Sequence, residues 1–176
     1  MKIIFKILSL FVLPLTIILL IYLYFQGKNQ KILMVKGTNQ KILSIPYENI
    51  AFREFGSVYT ANIVLPVAIQ TGLKNLTFMI DTGAVVTAIP AKESREMGIK
   101  LSSLPRGAVE GYGGQTTFTY QGTFTAKIID ELVTLPCVFS EIDDYNYILG
   151  RKGVFERYTI TFNSQTKAVE LTDNQQ

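Results

Sequence analysis

The sequence predicts an all-β fold: a small closed β-barrel domain with one or two short helices, preceded by an N-terminal transmembrane helix. Three observations lead there. From Ser57 onward, short runs rich in Val, Ile, Thr, Phe and Tyr recur between turn residues, as strands do. Helical stretches are few and brief, and strands at this density with little helix point to a closed β-domain. Ahead of them, Ile7 to Phe25 carries no charge.

That apolar segment comes first in the chain. At ~1.5 Å per residue it spans about 28 Å as a helix, close to the hydrocarbon thickness of a bilayer. Lys2 and Lys6 precede it, and Tyr22, Tyr24 and Phe25 stand at its far end, where interfacial aromatics collect. Pro14 would kink such a helix but is tolerated in membranes. A cleaved signal peptide would have a shorter apolar core and small residues at its cleavage site. The run Tyr22-Leu23-Tyr24-Phe25-Gln26-Gly27 offers no such site, so residues 1–25 read as an uncleaved membrane anchor. The segment has no cysteine to accept lipid. Lys28, Lys31, Lys36 and Lys41 follow it, so positive charge on both flanks leaves the side of the C-terminal domain open.

Residues 26–50 read as a polar, lysine-rich linker. Asn-Gln-Lys-Ile-Leu occurs there twice, at Asn29–Leu33 and Asn39–Leu43, a local duplication whose pieces could form edge strands. The remaining domain covers residues 51–176. Val58 to Ile69 and Leu76 to Ile80 are expected strands, joined by a turn over Gln70 to Lys74; Pro66 marks an edge or a bulge. Val86 to Pro90 is a further short strand. Ala91 to Met97 is a short helix opened by Pro90 and stopped by Gly98. A glycine-rich hairpin runs from Gly107 to Gly122. Thr125 to Asp130 and Leu132 to Ser140 form another hairpin, Gly153 to Arg157 one helical turn, and Tyr158–Phe162 with Lys167–Leu171 a last hairpin.

Composition excludes several kinds of chemistry. The 176 residues carry a net charge of only +3, with no long basic cluster, so no nucleic-acid surface is expected. There is no histidine, which removes His-based triads, His metal ligands and His pH switching. The single cysteine, Cys137, cannot form an intrachain disulfide, and between Pro136 and Val138 it reads as a buried small hydrophobe. Glu141, Asp143 and Asp144 read as a solvated acidic loop, and neither a metal site nor a cofactor is expected.

The chemistry is expected at Phe78-Met79-Ile80-Asp81-Thr82-Gly83-Ala84. A short apolar strand ends on one carboxylate, and a hydroxyl, a glycine and a small residue follow at once. Such a turn displays the acid at a loop tip, lets another backbone come close at Gly83, and can be tied down by the Thr82 hydroxyl. Asp-Thr-Gly alone is also an ordinary turn composition. The surrounding set is what makes it specific: the strand Val86 to Pro90, the glycine-rich hairpin, and Tyr147-Ile148-Leu149-Gly150-Arg151 near the C-terminus.

In this order the set resembles the retropepsin-like aspartic proteases, from roughly Ser57 to Leu171: Asp-Thr-Gly-Ala, then a flap, then an apolar pair with Gly-Arg. The resemblance implies an acid-protease-like fold and hydrolysis of peptide bonds in a protein or peptide substrate. Two carboxyls around one water share a proton; the ionised one takes a proton from water and the protonated one supports the carbonyl oxygen. This chain holds a single Asp-Thr-Gly, so the resemblance implies a homodimer with one Asp81 from each subunit across a two-fold axis. It further implies Thr82 and Gly83 as partners of the catalytic loop, with Ala84 beside the substrate. Val109, Glu110, Gly111, Tyr112, Gly113 and Gly114 would form a flap tip over the substrate. Ile148-Leu149-Gly150 would pass under the catalytic loop, and Arg151 would begin the turn behind it. Retroviral enzymes often carry an acid directly after Asp-Thr-Gly-Ala; Val85 and Val86 stand there instead, which leaves the partner of Arg151 open and makes the pocket more apolar. The other reading of the same fold is a non-catalytic dimeric binding module.

Overall fold

The computed structural model describes residues 30–35, 40–111, 113–142 and 147–174. All but Gln30 belong to one compact unit, Lys31–Gln176. The expected membrane span, Ile7 to Phe25, lies outside the described residues. Among those residues no helix is long and apolar enough to cross a membrane.

Alternation sets the strands. In Asn62–Ile69, the side chains of Ile63, Leu65 and Val67 are fully buried, every second residue, as a pleated strand with one covered face requires. The same logic runs through a seven-stranded sheet. Its members are β5 (Asn62–Ile69), β6 (Gly72–Ile80), β7 (Thr87–Pro90), β8 (Arg106–Glu110), β9 (Thr116–Ile128), β10 (Glu131–Ser140) and β11 (Tyr147–Leu149), in the order β10-β7-β11-β6-β5-β9-β8. Strand β9 also pairs with β10 from Thr119 to Ile128, so the pairing returns on itself and β8 hangs from β9 as a hairpin. A second sheet has the order β1-β2-β13-β12, from β1 (Lys31–Met34), β2 (Lys41–Pro46), β12 (Tyr158–Asn163) and β13 (Ala168–Asp173). A two-stranded hairpin, β3 (Glu48–Phe52) with β4 (Gly56–Thr60), stands apart.

Both large sheets contribute to one core. Phe78 stacks on Phe124 with ring centroids 5.8 Å apart and meets Tyr147 edge-on at 5.7 Å. Leu43 and Ile45 from β2 join Val169 and Leu171 from β13 in the same cluster. Each such side chain contributes about 1.5–3 kcal/mol on full burial. Cys137 is buried as expected, and burial pushes its thiol up to about 12, so no thiolate is available near neutrality.

Several expected elements need correction. Residues 26–50 are not a linker throughout: β2 lies in the sheet between β1 and β13, with Leu43 and Ile45 only 4% exposed. Lysines around a short apolar alternation hid a strand whose place in the sheet is set by pairing with the C-terminal β13 and whose inner side chains join the common core. The expected strand Val58–Ile69 breaks at Ala61 into β4 and β5, and the turn after it is confined to Gln70-Thr71. Pro66 sits within β5 opposite Asn75 of β6; on its other side β5 meets β9 only at Val67, so no ladder donor is lost there. The helix α1 spans only Glu93–Glu96. Residues 152–157 form turns, not a helix, although Phe155 N–H and Tyr158 N–H still bond back four residues to Arg151 and Val154.

Candidate active site

Strand β6 ends where its ladder runs out, and Asp81 is the first residue beyond it. Strand β11 lies parallel to β6 with Leu149 opposite Ile80, so the Leu149 carbonyl projects past the end of the pairing and accepts the Asp81 N–H at 3.1 Å. The loop then folds over its own acid. Gly83 N–H donates to Asp81 Oδ1 at 2.8 Å, and Ala84 N–H to the Asp81 carbonyl at 3.2 Å. Nothing among the described residues bonds Oδ2. Behind the loop, Arg151 N–H donates to Ala84 O at 3.0 Å and Lys152 N–H to Val85 O at 2.9 Å. The acid is thus held by backbone groups on both sides.

Gly150 makes this arrangement possible. A Cβ there would lie 2.3 Å from the Val86 carbonyl carbon and 2.4 Å from its oxygen. Real Cβ atoms do not approach backbone so closely, so only glycine lets β11 pass beneath the loop. Its N–H donates to the buried Thr87 Oγ1 at 3.2 Å.

Above Asp81 lies a cleft of about 840 Å³. Its floor and walls are mostly apolar: Ala84, Val86, Ala88, Ile89, Val138 and Ile148 all line it. The β8–β9 hairpin supplies Val109, Glu110 and Gly111 from the opposite side. At the hairpin tip Gly111 N–H bonds the Gln115 carbonyl at 2.9 Å, and Gly113 and Gly114 adopt φ of 86° and 75°, a left-handed region that favours glycine. The hairpin is fastened at its base. Arg106 pairs with Glu141 at 3.0 Å and lies over the Phe118 ring at 4.2 Å.

Of the residues expected at the site, Asp81, Gly83, Ala84, Val109, Glu110 and Gly111 come together around this cleft. Thr82 is exposed and does not line it; Gly113 and Gly114 shape the hairpin turn without lining it. Tyr112 lies outside the described residues, as do Asp143 and Asp144. Arg151 acts through its backbone behind the loop, and its exposed side chain has no ion pair among the described residues.

Sequence reasoning missed the support beneath the site. Glu93 is 5% exposed and takes a hydrogen bond from Tyr147 Oη at 2.7 Å and another from Lys74 Nζ at 2.8 Å. Lys74 also reaches Glu96 at 2.8 Å. Burial works to raise the Glu93 carboxyl, but the hydrogen bonds from Lys74 and Tyr147 outweigh it and hold it below the ordinary carboxylate range. Burial first, and the hydrogen bond to Glu93 second, push the Tyr147 phenol up to about 12. This network clasps the first residue of β11, two residues before the carbonyl that holds Asp81. Thr87, Thr119 and Ser140 were missed as well. Their signal was weak, because hydroxyls in strands are common and only the pairings of β10 with β7 and with β9 bring them near one another.

Comparison with known proteins gives structural likeness only. The chain is similar to a retropepsin-like aspartic protease from Rickettsia conorii, at 16% identity over 80% of this chain and 98% of that one, with a TM-score of 0.48. It is also similar to the EIAV protease in complex with the inhibitor HBY-793, at 15% identity over 58% of this chain and 88% of that one, with a TM-score of 0.41. No family model matches the sequence, and no curated protein matches it.

Proposed function

We propose that this chain is an aspartic endopeptidase, anchored in a membrane through Ile7 to Phe25 and active as a homodimer that joins two Asp81 carboxyls around one water. One observation carries the reading. Asp81 stands at the bottom of an apolar cleft, fixed through Oδ1 and its N–H while Oδ2 is left for chemistry, and a glycine-rich hairpin faces it from across the cleft. In that setting one carboxylate of the pair takes a proton from the attacking water. The other, protonated, polarises the scissile carbonyl and then passes its proton to the leaving amine. A protein or peptide substrate would lie along the cleft with apolar side chains against Val86, Ile89 and Ile148, under Val109 and Gly111 of the flap.

The test uses the full chain in detergent. Asp81→Asn keeps shape and volume but removes the base from both subunits, and peptide cleavage should fall by at least the roughly 10²–10⁴-fold that one acid–base group contributes. Circular dichroism should be unchanged, and specific activity of the parent should fall on dilution as dimers separate. An Asp81→Asn protein that cleaves as fast as the parent refutes the proposal. If neither protein cleaves while both dimerise and hold the same peptides, the chain is a binding module of this fold.

A further inference from the structure

We infer that Glu110 is a specificity residue that selects substrates carrying a lysine or arginine side chain beside the scissile bond; the inference rests on the proposed proteolysis and names its substrate class. Among the described residues the cleft is lined by two acids, Asp81 and Glu110, and by no base, in a chain whose net charge is +3. The local charge at the site is therefore opposite in sign to that of the whole molecule. A groove with low-dielectric walls and one sign of charge concentrates the field of that charge on whatever enters.

Glu110 is the last residue of β8, opposite Thr116, and so stands where the hairpin leaves its ladder. Its Oε1 lies 3.7 Å from where a Cβ on Gly114 would be, so the carboxylate runs along the hairpin turn. The nearest candidate to neutralise it on the same strand is Arg106. That guanidinium is already committed to Glu141 through Nε at 3.1 Å and Nη2 at 3.0 Å, and lies over Phe118. Glu110 has no ion pair among the described residues. Asp81 is taken up by the proposed reaction; Glu110 is the acid left over. A substrate with an aliphatic side chain for the apolar wall and a cationic one for Glu110 would satisfy the whole cleft, whereas an acidic side chain there would meet a like charge.

The measurement is a ratio within each protein, so that a general loss of activity cancels. Two peptide series of aliphatic background differ at one scanned position by lysine or its near-isostere norleucine. Full-length parent, Glu110→Gln and Glu110→Lys are compared for kcat/KM. The same fluorescent peptides are titrated against each Glu110 form in an Asp81→Asn background for Kd. At the responsive position the parent should favour lysine about fivefold, the size a partly exposed ion pair supports, and less at high salt. The ratio should fall to about one in Glu110→Gln and invert in Glu110→Lys. Equal ratios in all three proteins, or a parent that favours norleucine throughout, overturns the inference. Absence of cleavage with a binding ratio that follows Glu110 would refute proteolysis and leave the cation preference standing.

Discussion

The acid-bearing loop at 81–85 and the glycine-rich β8–β9 hairpin are both built on glycine, yet they are held in opposite ways. Residues 81–85 are bonded from below by Leu149 and from behind by Arg151 and Lys152, all through backbone groups, and Gly150 is there because nothing else fits. Among the described residues, Glu110, Gly111 and 113–115 at the hairpin tip show only their own turn bonds, and the glycines serve the curvature of the chain, with Gly113 in open space. One region is fixed by tertiary contact; the other is fastened by a side-chain pair at its base, Arg106 with Glu141. Under the proposed proteolysis the difference has a use: an acid would have to be positioned to a fraction of an ångström for proton transfer, whereas a cover would have to admit and release substrate.

The largest expected effect comes from closing the gap under the loop. Gly150→Ala forces Val86 backbone to move, so the variant should lose about 3 kcal/mol or more and all measurable peptidase activity together. Thermal unfolding and peptide cleavage check this; a variant with parental Tm would show that β11 does not pass as tightly as described.

Glu93→Gln should come next. It leaves Tyr147 and Lys74 with a weaker partner in a buried setting, at a cost of about 1–3 kcal/mol. Because the folded Glu93 carboxyl is held below its ordinary value of 4.5, the stability it contributes is present above that value and is lost as pH falls through the folded value. The difference between parent and variant should therefore be full near neutrality and disappear in acid. Urea midpoints across that range measure it, and a pH-independent difference would remove the carboxylate from the account.

Gly113→Ala tests the other side of the comparison. A Cβ there meets nothing, but a left-handed residue costs about 1–2 kcal/mol, confined to the hairpin tip. Activity should fall with little change in Tm, the reverse of the balance at Glu93. Equal losses in both would mean that the flap tip is part of the cooperative core. The smallest effect belongs to Arg106→Gln. The Arg106–Glu141 pair is exposed and worth under about 1 kcal/mol, so Tm should barely move, while a raised KM would report a looser flap base.

How far these two regions were legible in the sequence follows from the same contrast. The flap could be read directly, since Gly111, Gly113 and Gly114 between alternating strands specify a turn by local chemistry alone. Asp81-Thr82-Gly83-Ala84 was also legible as a loop displaying an acid. The strands β5, β6, β12 and β13 followed from alternation, with boundaries shifted by one to four residues where a turn proved tighter than its composition suggested.

What the sequence determined by itself was therefore local: which runs are extended, where the chain turns, and which acid stands at a loop tip. The tertiary structure alone decided that Lys41–Pro46 is a core strand and not a linker, because the burial of Leu43 and Ile45 depends on β13, more than a hundred residues away. A soluble fragment begun at Ile45 would cut that strand. It also decided that Glu93, Tyr147 and Lys74 meet, and that Gly150 lies against Val86. Those contacts join segments distant in sequence, and neither hydrophobic period nor turn propensity, both of which act over a few residues, carries any record of them.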